Sequence, residues 1–292
     1  MLNGRKTIIT GGDRGFGFAI ALEFVKQGAD ICICSRNEEA LAEAAARLSD
    51  LAGSGQRVIY KKADIADTAD TDSLFAFALS EFGGGLDAVV NNAGIQGPIG
   101  RFEENDWDEV LQVIRVNLLG TMYSIRKAIS VFKEAVKKDG SGKDKSIVNI
   151  SGGGATGARP YFMGYAVAKT GVVRATETAA AEAAEFGIRV NAIAPGAMNT
   201  RMLEEILGAG EKAGGEYGKS LKQKENGGAS MEKAARLAAF LASEEASGIT
   251  GRLISAVWDR WDQLESHAEE LKESDIYTLR RIIPSDRGFN WD

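Results

Sequence analysis

The chain has 292 residues, 44% hydrophobic and 26% charged, which is ample apolar sequence for a sizeable core. A formal net charge of −6 argues against nucleic acid as a partner, though not against small anionic ligands. The single histidine, His267, and the two cysteines, Cys32 and Cys34, supply no disulfide framework and no metal-ligand set, and they disfavour a histidine-based hydrolase.

In chain order, Lys6–Thr10 reads as a strand, followed by a glycine turn and a helix over Phe18–Gln27 that Gly28 stops. Asp30–Ser35 is the second strand. Cys32 and Cys34 alternate there with Ile31 and Ile33, so both thiols face one side as small core residues of a reducing compartment. An alanine-rich helix over Glu38–Leu51 precedes the third strand, Gln56–Lys61. A helix over Thr71–Phe82 leads to the fourth, Leu86–Asn91. One long helix is expected over Trp107–Lys137, the fifth strand over Ser146–Ser151 and another long helix over Gly164–Phe186. Arg189–Ile193 is the sixth strand, and Leu203–Gly228, rich in glycine and lysine, reads as mobile. A helix over Met231–Ala242 and a seventh strand over Arg252–Val257 complete the alternation. Strands alternating with helices imply an α/β fold, a doubly wound parallel sheet of about seven strands with helices on both faces.

Beyond Val257 the composition changes. Trp258, Trp261, Tyr277, Phe289 and Trp291 punctuate a charged stretch, with a helix expected over Asp259–Lys272. So many large aromatics suggest an ordered extension packed on the body or on a partner subunit. The expected division is a Rossmann catalytic domain over residues 1–257, with a lid near 201–228, and an extension over 258–292. No stretch has the apolar length of a secretory leader or a membrane span, so a cytoplasmic protein without a membrane partner is expected.

Thr10-Gly11-Gly12-Asp13-Arg14-Gly15-Phe16-Gly17 lies between strand and helix, where glycines let the backbone approach a pyrophosphate at a helix N-terminus. Its Thr-Gly-x-x-x-Gly-x-Gly spacing resembles the compact branch of the short-chain dehydrogenase/reductase family. The resemblance continues through Asp64-Ile65, Asn91-Asn92-Ala93-Gly94, Asn117, Tyr165-Ala166-Val167-Ala168-Lys169 and Pro195-Gly196, over about residues 5–257. It implies that Asp64 and Ile65 border the adenine and that Asn91, Ala93 and Gly94 border the cofactor. Met198 and Thr200 would hold the nicotinamide carboxamide.

A carboxylate at the end of the second strand would accept ribose hydroxyls and repel a 2′-phosphate. The chain has Ser35-Arg36 there, with no acid before Glu38, and Arg14 stands in the glycine turn. Two guanidiniums suit a phosphate dianion, so the expected cofactor is NADP(H).

Tyr165 and Lys169 are four apart on a helix and share a face. A neighbouring ammonium and a positive nicotinamide ring would lower the phenol's pKa, and Tyr165 would exchange a proton with a carbonyl or alcohol oxygen. The resemblance gives Lys169 the nicotinamide ribose as well, and gives Asn117 a water that relays protons to it. The family places a serine 13 residues before the tyrosine, and an ungapped count lands on Gly152. With one residue inserted in Ser151-Gly152-Gly153-Gly154, Ser151 takes that role; otherwise a triad operates, or Thr156 or Tyr161 substitutes.

The expected activity is a carbonyl reductase or alcohol dehydrogenase acting on a small molecule. Alternatives are an NADP-using sugar isomerase or dehydratase, against which the turn spacing speaks, and a non-catalytic NADP-binding regulator, which would be expected to lose Tyr165 or Lys169. Arg101, Arg159 and Arg201 fall in pocket-forming segments, either as anion-binding groups or as surface residues. Apolar residues on more than one face of the helices at 107–137 and 164–186 predict a homodimer or homotetramer built on them.

Overall fold

A computed structural model describes residues 1–139 and 144–291. Seven parallel strands form one sheet in the order β3-β2-β1-β4-β5-β6-β7. They are β1 (Lys6–Thr10), β2 (Asp30–Ser35), β3 (Val58–Lys62), β4 (Ala88–Asn91), β5 (Lys145–Ile150), β6 (Ile188–Ala194) and β7 (Leu253–Ser255). The order reverses between β1 and β4, so their connections leave in opposite directions and open a crevice at the carboxyl ends of the strands.

Helices α1 (Gly15–Lys26), α2 (Glu38–Ser49), α3 (Thr68–Glu81), α4 (Trp107–Ile114), α5 (Thr121–Asp139) and α6 (Met163–Ala183) connect the first six strands. Helices α7 (Arg201–Ala209), α8 (Gly215–Asn226) and α9 (Met231–Ala242) lie between β6 and β7. One sheet face carries Ile31 and Ile33 in a core with α1, α2 and α9. The other carries Cys32 and Cys34 in a core with α3, α5 and α6. The alternation of thiol and isoleucine along β2 is thus a division between two cores. Burial pushes the Cys34 thiol up to about 12, and both thiols are free. Among the described residues no helix is long and apolar enough to cross a membrane.

Three expectations change. The helix expected over 107–137 contains a π-helical segment, Arg115–Gly120, between α4 and α5. Asn117 sits inside it, a residue whose side chain competes with helical hydrogen bonding. The 201–228 segment, expected to be mobile, folds into α7 and α8. Gly210 and Gly214 stand at the breaks, while Arg201–Glu205 and Glu216–Lys219 ion pairs at helical spacing support α7 and α8. The helix expected over 259–272 is instead a 3₁₀ run, Trp261–His267, followed by the short α10 (Ala268–Lys272), in keeping with the weak helix preference of Trp261, Asp262, Ser266 and His267.

The C-terminal extension follows the open edge of the sheet. Leu253 N–H on β7 donates to the Tyr277 carbonyl at 2.8 Å, and the Arg252 guanidinium donates to the carbonyls of Ser274, Ile276 and Leu271. Further on, Arg174 of α6 donates to the Leu279 carbonyl, and the Leu279 amide donates to Glu177. Trp261 packs on Phe240, whereas Trp258, Phe289 and Trp291 remain exposed. The aromatics expected to be covered are therefore divided.

Candidate active site

The crevice is a cavity of 1060 Å³ that runs from the glycine turn after β1 to helices α7 and α8. Its floor is a backbone knot. Thr10 Oγ1 accepts from the amides of Asn92 and Ala93, both at 3.0 Å, and Asn92 Nδ2 donates to the carbonyls of Thr10 and Gly11. The ends of β1 and β4 are thereby locked together. A Cβ on Gly17 would overlap the Gly11 carbonyl, so only glycine lets α1 start this close to the turn. Phe16 is buried behind it, and Gly15 faces the methyl of Thr200 at the start of α7. Such a turn, with amides at the N-terminus of a 12-residue helix, fits a pyrophosphate.

At the far end of β2, the Ser35 hydroxyl bonds with the Asn37 backbone, and Arg36 lies 4.0 Å from Asp64. Arg36 and Arg14 are 60% and 62% exposed at the rim. Asp64 turns one oxygen to the Ala66 amide, and Ile65 is buried beside Gly120. Asn91 donates to Asn149 across the β4–β5 pair at 2.8 Å. Pro195, Gly196, Met198 and Thr200 line the cavity below the lid, where the Ala197 carbonyl accepts from the Ala229 amide.

Tyr165 and Lys169 line the centre, and Asn117 is buried behind Gly94. The Asn117 side chain is fully paired with the Ile95 backbone, accepting at 2.8 Å and donating at 2.8 Å, and its own carbonyl receives the Thr121 hydroxyl. Gly94 backs onto both Asn117 and Lys169. Lys169 Nζ donates to the Ile150 carbonyl at 2.7 Å and lies 5.8 Å from the Tyr165 ring centre. Burial brings the lysine down to about 8. Tyr165 differs from expectation: burial raises its pKa, and the opposing cation is Arg159 rather than Lys169.

The Ser151 hydroxyl donates to the Lys169 carbonyl on α6 at 3.3 Å. It is Gly152 that faces the phenol, since a Cβ there would lie 2.5 Å from Tyr165 Oη. The ungapped count thus describes the local geometry, and position 152 has no hydroxyl. Thr156 lines the cavity, and Tyr161 packs its ring against Gly214 of the lid. Sequence reasoning passed over Gln96, a buried cavity residue whose Nε2 has no hydrogen-bond partner among the described residues. A polar side chain between Ile95 and Ile99 was its only signal.

Residues 11–256 match a family model described as enoyl-(acyl carrier protein) reductase. The chain is 36% identical over 252 residues to 3beta-hydroxysteroid dehydrogenase 1 of Eggerthella lenta, covering 86% of this chain and 91% of that one. It is 34% identical to a 3-oxoacyl-(acyl-carrier-protein) reductase of Chlamydia muridarum, covering 87% and 96%. Among solved structures, levodione reductase superposes with a TM-score of 0.78 at 27% identity, covering 91% of this chain and 99% of that one. A 3-ketoacyl-(acyl-carrier-protein) reductase from Brucella melitensis, complexed with NADH, gives 0.75 at 33% identity over 87% and 97%. The chain belongs to the short-chain dehydrogenase/reductase family and is an oxidoreductase of that family.

Proposed function

We propose that the protein is an NADP(H)-dependent carbonyl reductase or alcohol dehydrogenase that uses Tyr165 as its proton donor and acceptor. The observation carrying this reading is that Tyr165 and Lys169 together line the cavity that begins at the glycine turn, with Asn117 buried behind its wall. Thr10, Gly11, Arg14, Gly15, Phe16 and Gly17 would hold the pyrophosphate region. Ser35 and Arg36 would hold the ribose phosphate, Asp64 and Ile65 would border the adenine, and Asn91, Ala93 and Gly94 would border the cofactor. Pro195, Gly196, Met198 and Thr200 would hold the nicotinamide end. When bound, the cofactor supplies or accepts hydride at the substrate carbon.

The chain's own residues manage the proton. A buried phenol with a raised pKa keeps its proton at neutral pH and can release it to an oxygen gaining charge. Lys169, held by the Ile150 carbonyl, places positive charge beneath that ring. Asn117 fixes the Ile95 backbone at the cavity wall. Ser151 serves as a positioning residue that ties β5 to α6 at Lys169. Discrimination against NADH would come from Arg36 and Arg14, because no carboxylate occupies the end of β2.

Residues 1–257 would form the catalytic unit and 258–292 an extension sealing the β7 edge. Leu119, Met122, Met163 and Val167 are exposed on the two long helices, which suits a homodimer formed there. Titration of NADPH and NADH into the wild type and Arg36→Ala tests the cofactor assignment. NADPH should bind more tightly to the wild type, and Arg36→Ala should lose that margin. Equal affinities in the wild type would refute it.

A further inference from the structure

We infer that Arg159 anchors a substrate carboxylate, so that the substrates are oxo acids and their hydroxy acids, and that Glu216 of the lid holds the guanidinium until such a substrate arrives. The inference rests on the reductase reading above and specifies its substrate class. Three arginines lie in pocket-forming segments, and the structure separates them. Arg101 and Arg201 are 64% and 68% exposed and paired with Glu103 and Glu205 on their own segments. Arg159 is 15% exposed and lines the cavity. Its guanidinium carbon lies 4.0 Å from the Phe162 ring centre and 5.4 Å from that of Tyr165. The guanidinium lies against Gly153, at ordinary van der Waals distance from where a Cβ would stand.

The donors of Arg159 are poorly satisfied. A guanidinium carries five N–H donors in a planar fork. Among the described residues its only polar partner is Glu216, at 3.5 Å, too long for a good charge-assisted bond. Phe162 covers one face of the group, and no Arg159 nitrogen is buried without a partner, so its spare donors open onto the cavity, where an incoming anion can reach them. Glu216 can let go, because Lys219 already holds its other oxygen at 2.8 Å. A carboxylate matches the fork and replaces Glu216 charge for charge. At 5.4 Å from the Tyr165 ring centre this anchor lies close to the proton donor, which favours acids whose carbonyl is only a few bonds from the carboxylate. Ile95, Met202 and Ile206 line the same cavity and suit the chain of such an acid.

Calorimetric titration of the NADPH-loaded protein with straight-chain α- and β-hydroxy acids, each beside its methyl ester, tests this. In the wild type the acid should bind about tenfold more tightly than its ester, or better, as expected for hydrogen bonds to a charged group. Arg159→Gln should erase that preference and leave ester binding unchanged, Arg159→Lys should recover part of it, and Glu216→Gln should strengthen acid binding. Equal binding of acid and ester, no binding of either, or parallel weakening of both in Arg159→Gln would overturn the anchor. NADPH oxidation by the matching oxo acids and esters is scored separately. Selective acid binding without turnover would keep the anchor and sink the reductase reading. Turnover that does not distinguish acid from ester would do the reverse.

Discussion

After β1, the chain folds back so closely that a Cβ on Gly17 would overlap the backbone carbonyl of Gly11, with the Asn92 side chain close beside it. After β5, a Cβ on Gly152 would lie 2.5 Å from the end of one side chain, Tyr165. Both turns are rich in glycine and both border the cavity, yet the first leaves out side chains so that the fold can close on a phosphate, while the second leaves one out where the reacting group stands. Substitution in the first turn should therefore damage structure and cofactor binding together, and substitution in the second should damage turnover alone.

The largest effect belongs to the group that the second turn makes room for. Tyr165→Phe should lower turnover by roughly 10²–10⁴-fold, the scale of a lost general acid, with NADPH affinity nearly unchanged. Comparable activity in that variant would move the proton to another group and dissolve the contrast. Gly17→Ala should come next, with overpacking against backbone costing about 1–3 kcal/mol. A fall in Tm together with weakened NADPH binding is expected. Gly152→Ala should leave Tm and NADPH affinity near wild type and lower kcat by about tenfold through a displaced phenol. Matching losses of Tm in the two alanine variants would show that the turns do not differ in kind.

Lys169 sharpens the comparison through pH. Its pKa is brought down from 10.5 to about 8, so the ammonium beneath Tyr165 is present below about pH 8 and lost as pH rises through it. Carbonyl reduction should decline over that window, and Lys169→Arg should flatten the decline, as read from kcat/KM against pH. The smallest effect is expected at Ser151. Its hydroxyl donates to a backbone carbonyl on α6, so Ser151→Ala should cost under about tenfold in rate, the worth of one ordinary hydrogen bond. A loss of roughly 10²–10³ would identify it as an oxyanion donor after all.

The sequence was most legible where strand period and glycine placement act locally. β1 and β2 have the boundaries read from their apolar runs, and the alternation along β2 resolves into two cores. Tyr165 and Lys169 share a face because helical spacing requires it. What escaped depends on contacts between distant segments. The π-helical segment at Asn117 is tied to the Ile95 backbone 22 residues away. The order of α7 and α8 comes from buried Leu203 and Ile206 and from Arg159 and Tyr161 reaching across to the lid, none of which a count of glycines reveals. Three glycines that can absorb an inserted residue favour Ser151, and the fold adds what the count does not hold, that Gly152 stands opposite the phenol while Ser151 also lines the cavity. The aromatics of the extension divide according to whether Phe240 and its neighbours lie within reach, which composition does not encode.

The central claim is that this cavity moves hydride from the nicotinamide to a carbonyl carbon while Tyr165 gives up its proton. It is tested most directly by incubating the wild type with NADPH deuterated at the transferable position and a panel of oxo acids and ketones, then weighing the products. The account predicts consumption of NADPH in step with an alcohol carrying deuterium on the new carbinol carbon. A product of unchanged mass, formed without net loss of NADPH, would contradict it and identify an isomerase instead.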